Sequence, residues 1–249
     1  MLEHFETHGW VRIPRAFDPE DAAAMRDVTW RALEQVGIRR DDPSTWSKER
    51  PDHLQRLKKD PVFQRVATER TLAAIDAVLE GQPWPKPKDW GAFFLVFPTT
   101  GREFRVPTTG WHLDAPYMSQ LAPPRGVKVH AMYGDVLPRA GGMNIISGSH
   151  RMVHKWFVDH PETAGLRSAK QRRSLHEHPF LRAVCAGEVT YDTVEEVDGI
   201  RLQVVENTAQ AGDVILMHSL LLHAPPAAHC GTEPRFLLNK DLWLGGWPD

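Results

Sequence analysis

Three prolines fall within residues 82–88 (QPWPKPK), and no regular helix can run through them, because each fixes φ and removes a backbone donor. The break separates two kinds of pattern. Before it, apolar residues recur at helical spacing. After it, apolar segments are short, often alternating, and bounded by Gly and Pro. A chain patterned this way suits a mainly β fold with a helical layer rather than a helical bundle, and twenty prolines in 249 residues add the turns such a fold needs.

Residues 9–13 (GWVRI) read as a first strand. Asp18 and Pro19 supply an N-cap and a first-turn proline for a helix over 20–36, which Gly37 can end. Asp60 and Pro61 repeat that signal for a second helix over 62–79, with 40–59 as loop and short helix between them. Strands are expected at 90–97, 110–115, 127–136, 143–146, 188–194, 201–205, 213–217 and 235–243, and 151–181 is helical or irregular. About eight strands with long antiparallel excursions fit a double-sheet jelly roll, the cupin-like double-stranded β-helix. Neither half covers a sheet alone, so one domain over 1–249 is expected, with 1–88 as helical support and 89–249 as the jelly-roll core.

Composition narrows the partners. The formal net charge is −2 and no basic stripe stands out, which argues against nucleic acid and anionic membrane. Two cysteines, Cys185 and Cys230, without a CxxC pair exclude a disulfide framework and make a structural zinc site a poor fit. Residues 1–10 lack the charged and apolar regions of a signal peptide, and apolar runs such as 214–217 and 220–222 are too short to span a bilayer. A cytoplasmic protein acting on a small molecule is expected.

Among thirteen histidines, His112 is distinguished by Asp114 two residues later. On a strand the two share a face, with Cα atoms roughly 6.5 Å apart, so both side chains can reach one ion. Imidazole with carboxylate suits Fe(II) when a second histidine completes the face. Taken alone, the HxD pair is more readily a metal-free surface site, because the spacing occurs often by chance. Farther on, Arg235 opens an apolar strand that follows the histidines at 218 and 223. Its fork matches a carboxylate, and an inward Arg needs an anion; a surface salt bridge is the alternative.

Three blocks, residues 111–114 (WHLD), 141–150 (GGMNIISGSH) and 212–235 (Gly212-Asp213-Val214 through His218 and His223 to Arg235), resemble the phytanoyl-CoA dioxygenase family in order and spacing. The resemblance runs from about residue 9 to the C-terminus and is weakest over 40–88 and 151–187. It implies a double-stranded β-helix that uses Fe(II), 2-oxoglutarate and O2, releasing succinate and CO2. It implies His112, Asp114 and His223 as the catalytic metal ligands, with His218 excluded, and Arg235, twelve residues after His223, as the 2-oxoglutarate anchor. It also implies hydroxylation, or desaturation, rather than halogenation, because Asp114 keeps the carboxylate that halogenases lose.

Several residues stay open. His130 stands where the family often carries an aromatic residue; it is either a cosubstrate contact or a core histidine. His150 is expected to brace the turn before the helix at 151. Tyr117 and Met118 are placed at the substrate mouth, and Asn239 on the same strand face as Arg235. Arg102, Arg105 and Lys128 either favour an anionic substrate or form a solvated basic loop, the latter being expected. Trp84 and Trp90 are expected to pack in the core or a lid. Two other classes remain: a catalytically silent jelly-roll sensor, and a cupin-type metalloenzyme that does not use 2-oxoglutarate.

Overall fold

A computed structural model describes residues 1–46, 54–99, 101–114, 121–163, 166 and 168–245. Helix α1 (Leu2–His8) leads into strand β1 (Trp10–Ile13), and α2 (Pro19–Glu34) and α3 (Glu69–Val78) follow. Then come β2 (Ala92–Val96), β3 (Gly126–Met132), β4 (Asn144–Ser147), α4 (Ser149–Asp159), α5 (Ser168–Leu175) and α6 (Pro179–Ala186). The chain continues through β5 (Val194–Val197), β6 (Ile200–Glu206), β7 (Val214–His218), β8 (His223–Ala224) and β9 (Arg235–Trp243).

The strands form two antiparallel sheets, in the orders β1-β7-β3-β9-β2 and β5-β6-β4-β8. This is the expected jelly roll with a helical layer. Strand β1 comes from the helical half yet forms the edge of the larger sheet, Trp10 opposite Met217 and Ile13 opposite Val214.

Alternation in the larger sheet separates two interiors. Val127, Val129 and Ala131 of β3, Val214 and Leu216 of β7, and Phe236 and Leu238 of β9 face a core shared with Met25, Leu33, Ile75 and other residues of α2 and α3. The opposite parity, Met132, Ile215, Met217 and Leu237, packs with Ile145 between the sheets. Strand β3 is buried throughout because both its faces are covered. The two tryptophans expected in the core are there: Trp84 is 9% and Trp90 3% exposed.

Local signals account for the helix starts. Asp18 accepts the Glu20 N–H at 2.8 Å, and Asp60 accepts that of Val62 at 3.0 Å. Three expectations need correction, and one helix was not expected. The helix over 62–79 divides into a 3-10 segment (Pro61–Val66) and α3, because Thr68 caps α3 by accepting the Thr71 N–H while donating its hydroxyl to Ala16 O. Of the strand expected at 110–115, residue 115 lies outside the described residues, and 110–114 do not make a strand: Gly110 has φ +83°, and one bridge, His112 to His223, is formed. Residues 188–194 turn instead of extending, with Thr190 and Thr193 hydrogen-bonded to each other, so the strand begins at Val194. Helix α1 carries no sequence signal read above; Gly9 closes it in the left-handed region, φ +78°.

Candidate metal centre

The bridge between His112 and His223 does more than pair two segments. The amide of each donates to the carbonyl of the other, at 3.0 and 3.2 Å, which sets the two Cα atoms opposite one another. Each imidazole then turns its Nδ1–H back to the carbonyl two residues earlier: His112 to Gly110 at 2.7 Å, His223 to Leu221 at 3.0 Å. That fixes both tautomers and leaves both Nε2 lone pairs facing outward from the backbone. Asp114 stands between them, with Oδ1 3.5 Å from His112 Nε2 and Oδ2 3.2 Å from His223 Nε2.

The three candidate ligand atoms lie within 4.8 Å of one another. Two neutral imidazole nitrogens and one carboxylate on one side of a point make the donor set that suits Fe(II) with open positions opposite. Burial pushes the Asp114 carboxyl upward, but His112, His223 and Lys128 outweigh it and hold it well below the usual carboxylate range. His112 is raised, chiefly by its contact with Asp114. His223 is buried, whereas about 30% of the His112 and Asp114 side chains reaches solvent, so the site opens on their side.

Strand parity brings Arg235 into the same interior. It is 3% exposed, and its Nη1 donates to Gly141 O. Gly141 and Gly142 make that approach possible: Gly141 has φ +76°, and a Cβ on Gly142 would meet Asn207 O at 2.5 Å. The Glu206 carboxylate holds the turn by accepting the Arg139 and Gly142 amides at 2.7 and 2.9 Å. His130 is fully buried, opposite Asn239 in the β3–β9 register, and neither ring nitrogen has a hydrogen-bond partner. Burial first, then Lys128, His223 and Arg235, push it well below the ordinary imidazole range. Its electrostatic neighbours are thus Lys128, His223, Arg235 and Asp114. A neutral imidazole with an unused N–H in such a place fits an anionic ligand that brings its own acceptors.

Asn239 faces this interior as expected and accepts from Lys128 Nζ at 3.2 Å. Tyr117 and Met118 lie outside the described residues. Arg102 and Arg105 are exposed, as expected. Lys128 is the correction: it is not in a solvated loop but in mid-strand, 8% exposed, against Asp114 and Asp241. The alternation of β3 carries this signal, since 128 and 130 share a face; so does that of β9, where 235, 239 and 241 do. His218 and His150 are not part of the cluster. A large groove lies elsewhere, beside Trp10, Arg12, Arg70 and Glu206, and contains none of the triad. The gap at the triad is small, and Met217, Ser219, Asp241 and Trp243 help to line it.

The family model for phytanoyl-CoA dioxygenase matches residues 5–232, nearly the whole chain. The chain belongs to the phytanoyl-CoA dioxygenase family. No curated protein matches it. Solved structures share its fold. AviO1 from Streptomyces viridochromogenes Tue57 superposes with a TM-score of 0.58 at 18% identity, over 100% of this chain and 95% of that one. HygX from Streptomyces hygroscopicus, solved with nickel and 2-oxoglutarate bound, gives 0.55 at 19% identity over 97% and 85%. SnoN, a non-heme α-ketoglutarate-dependent epimerase from nogalamycin biosynthesis, gives 0.54 at 16% identity over 97% and 80%. No helix among the described residues of this family member is long and apolar enough to cross a membrane.

Proposed function

We propose that this protein is an Fe(II)- and 2-oxoglutarate-dependent dioxygenase that hydroxylates, or desaturates, a small molecule and releases succinate and CO2. The observation that carries the reading is the convergence of His112 Nε2, His223 Nε2 and the Asp114 carboxylate within 4.8 Å. Family membership and the iron- or nickel-bound neighbours support it.

Bound iron and 2-oxoglutarate would supply the oxidising chemistry. The chain's own part is to hold, orient and shield. His112 and His223 would offer their Nε2 atoms, because each Nδ1–H is committed to a backbone carbonyl. Asp114 brings the negative charge that a divalent ion needs. Arg235, held at Gly141, pairs with the far carboxylate of 2-oxoglutarate, and His130 donates to the same molecule. Asn239 lies on this face, and Tyr117 and Met118, just beyond Asp114 in sequence, are proposed for the substrate side. The reading takes 1–249 as one catalytic unit, with 1–88 buttressing 89–249.

The test begins without oxygen. Protein with Fe(II) should develop a weak visible charge-transfer band when 2-oxoglutarate is added. In air, one member of a small-molecule panel should drive succinate formation and oxygen uptake. A protein that binds neither iron nor 2-oxoglutarate sinks the proposal. Arg235→Ala should raise the 2-oxoglutarate needed for half of the band on the order of 100-fold while iron binding barely changes. An unchanged requirement would assign the anchor to another residue.

A further inference from the structure

Lys128 sits beside the candidate iron site among three oxygens: its Nζ is ion-paired with Asp114 Oδ2 and with Asp241 Oδ1 at 2.9 Å, and donates to Asn239 Oδ1 at 3.2 Å. Only 8% of the side chain is accessible. Its place in the fold is fixed. Strand register sets Lys128 directly opposite Asp241 of β9 on one side and Met217 of β7 on the other.

A buried ammonium needs its counter-charges, and here two half-buried carboxylates supply them. Asp114 belongs to the triad and Asp241 does not. Asp241 therefore holds Lys128 in place, and Lys128 in turn holds one oxygen of Asp114, leaving the other beside His112. The three charges sum to −1 at the point where a divalent cation and a dianionic cosubstrate must both bind. More negative charge there favours the cation and opposes the dianion; less does the reverse.

We propose that Lys128 is a positioning residue that fixes the Asp114 carboxylate and, balanced by Asp241, divides binding strength between the metal and 2-oxoglutarate. The inference rests on the iron reading above. At the few-ångström separations involved, one unit charge changes either binding constant by about tenfold even at a water-like dielectric, and by more at a protein-like one.

The test uses the full chain at pH 7.5 without oxygen, with Fe(II) affinity from chelator competition and 2-oxoglutarate affinity from the charge-transfer band. Lys128→Met should bind 2-oxoglutarate about tenfold more weakly with no loss of Fe(II) affinity. Asp241→Asn should do the opposite, weakening Fe(II) with no loss of 2-oxoglutarate affinity. A merely structural role cannot split the two constants in opposite senses. Variants in which both constants weaken together, or neither moves, overturn the proposal. If Lys128→Met does not fold, Asp241→Asn decides alone by the same split. Failure of the unmodified protein to bind iron removes the site and this role with it. Binding by the unmodified protein without a split in the variants overturns Lys128 alone.

Discussion

Two of the close imidazole pairs in this molecule are hardly told apart by ring spacing. His112 and His223 have centroids 4.4 Å apart and planes tilted by 50°; for His150 and His218 the values are 5.1 Å and 47°. The difference is which nitrogen the backbone takes. In the first pair Nδ1–H goes to a carbonyl two residues back, and both Nε2 atoms turn to Asp114. In the second pair Nε2–H is the committed atom. His150 donates to Glu6 O and His218 to Leu121 O, both at 3.0 Å, while His218 Nδ1 accepts the Leu220 N–H. His150 Nδ1 is pressed against Gly9, where a Cβ would come within 2.5 Å. No carboxylate lies between these rings. One pair can receive a metal; the other ties α1 and the 121 loop to the barrel. Proximity alone makes no metal site: free Nε2 atoms and a shared anion do.

Exchanging each member of this comparison for alanine should break it in opposite ways. His223→Ala should lower iron affinity about 100-fold or more and abolish succinate formation, since even a group that merely orients a ligand is worth 10- to 100-fold. His218→Ala should destabilise the fold by about 2–4 kcal/mol, through a cavity and unpaired backbone groups, while the folded fraction still binds one iron. Urea midpoints and iron stoichiometry read these outcomes. Full iron binding by His223→Ala would end the contrast.

Acid should separate the pairs next. Burial, the largest cause in both, lowers His150 to about 3 and His218 to about 4. Unfolded, both take a proton near pH 6.5. As pH falls below that value the unfolded chain binds protons that the folded chain refuses, so stability drops through the window from 6.5 toward 4. At pH 5 the loss is about 2 kcal/mol for each ring. His112 works against this, because Asp114 raises it and its contribution is present below the unfolded value. Metal-free protein should therefore show a lower urea midpoint at pH 5 than at 7.5. A flat profile would mean that the second pair titrates freely inside the fold.

What the sequence could show follows from the range of the physics. Asp18, Asp60 and Pro19 act within one turn, so the helix starts were legible. The alternation of β7 and β9 is local too, and it placed Arg235 and Asn239 on one face. The spacing of His112 and Asp114 was informative for a reason that does not hold, since the segment is no strand; a single bridge to His223, 111 residues away, orients it. Thr68 looked like helix interior because its bond to Ala16 O spans 52 residues. Lys128 looked like surface because a lysine is read by its charge, and the two carboxylates that bury it come from other segments. Long-range pairing decided these three misses, whereas the turn at 190–193 is local.

His130 offers the finest division between the two kinds of histidine, for it resembles neither. It is as buried as the structural pair, yet neither nitrogen has a partner, and it lies among the triad, Lys128 and Arg235 rather than beside a loop. A purely structural histidine in that state is a cost without return, so His130→Leu should leave the metal-free fold as stable or about 1 kcal/mol more stable. A histidine that donates to 2-oxoglutarate loses something else on the same change: the cosubstrate requirement should rise several-fold, less than for Arg235→Ala, because a neutral donor binds a carboxylate more weakly than a guanidinium does. The pair of readings is diagnostic. Gained stability with weakened cosubstrate binding places His130 with the metal pair, in function if not in ligation. Gained stability with an unchanged requirement makes it a core residue and leaves Arg235 as the anchor on that side of the barrel.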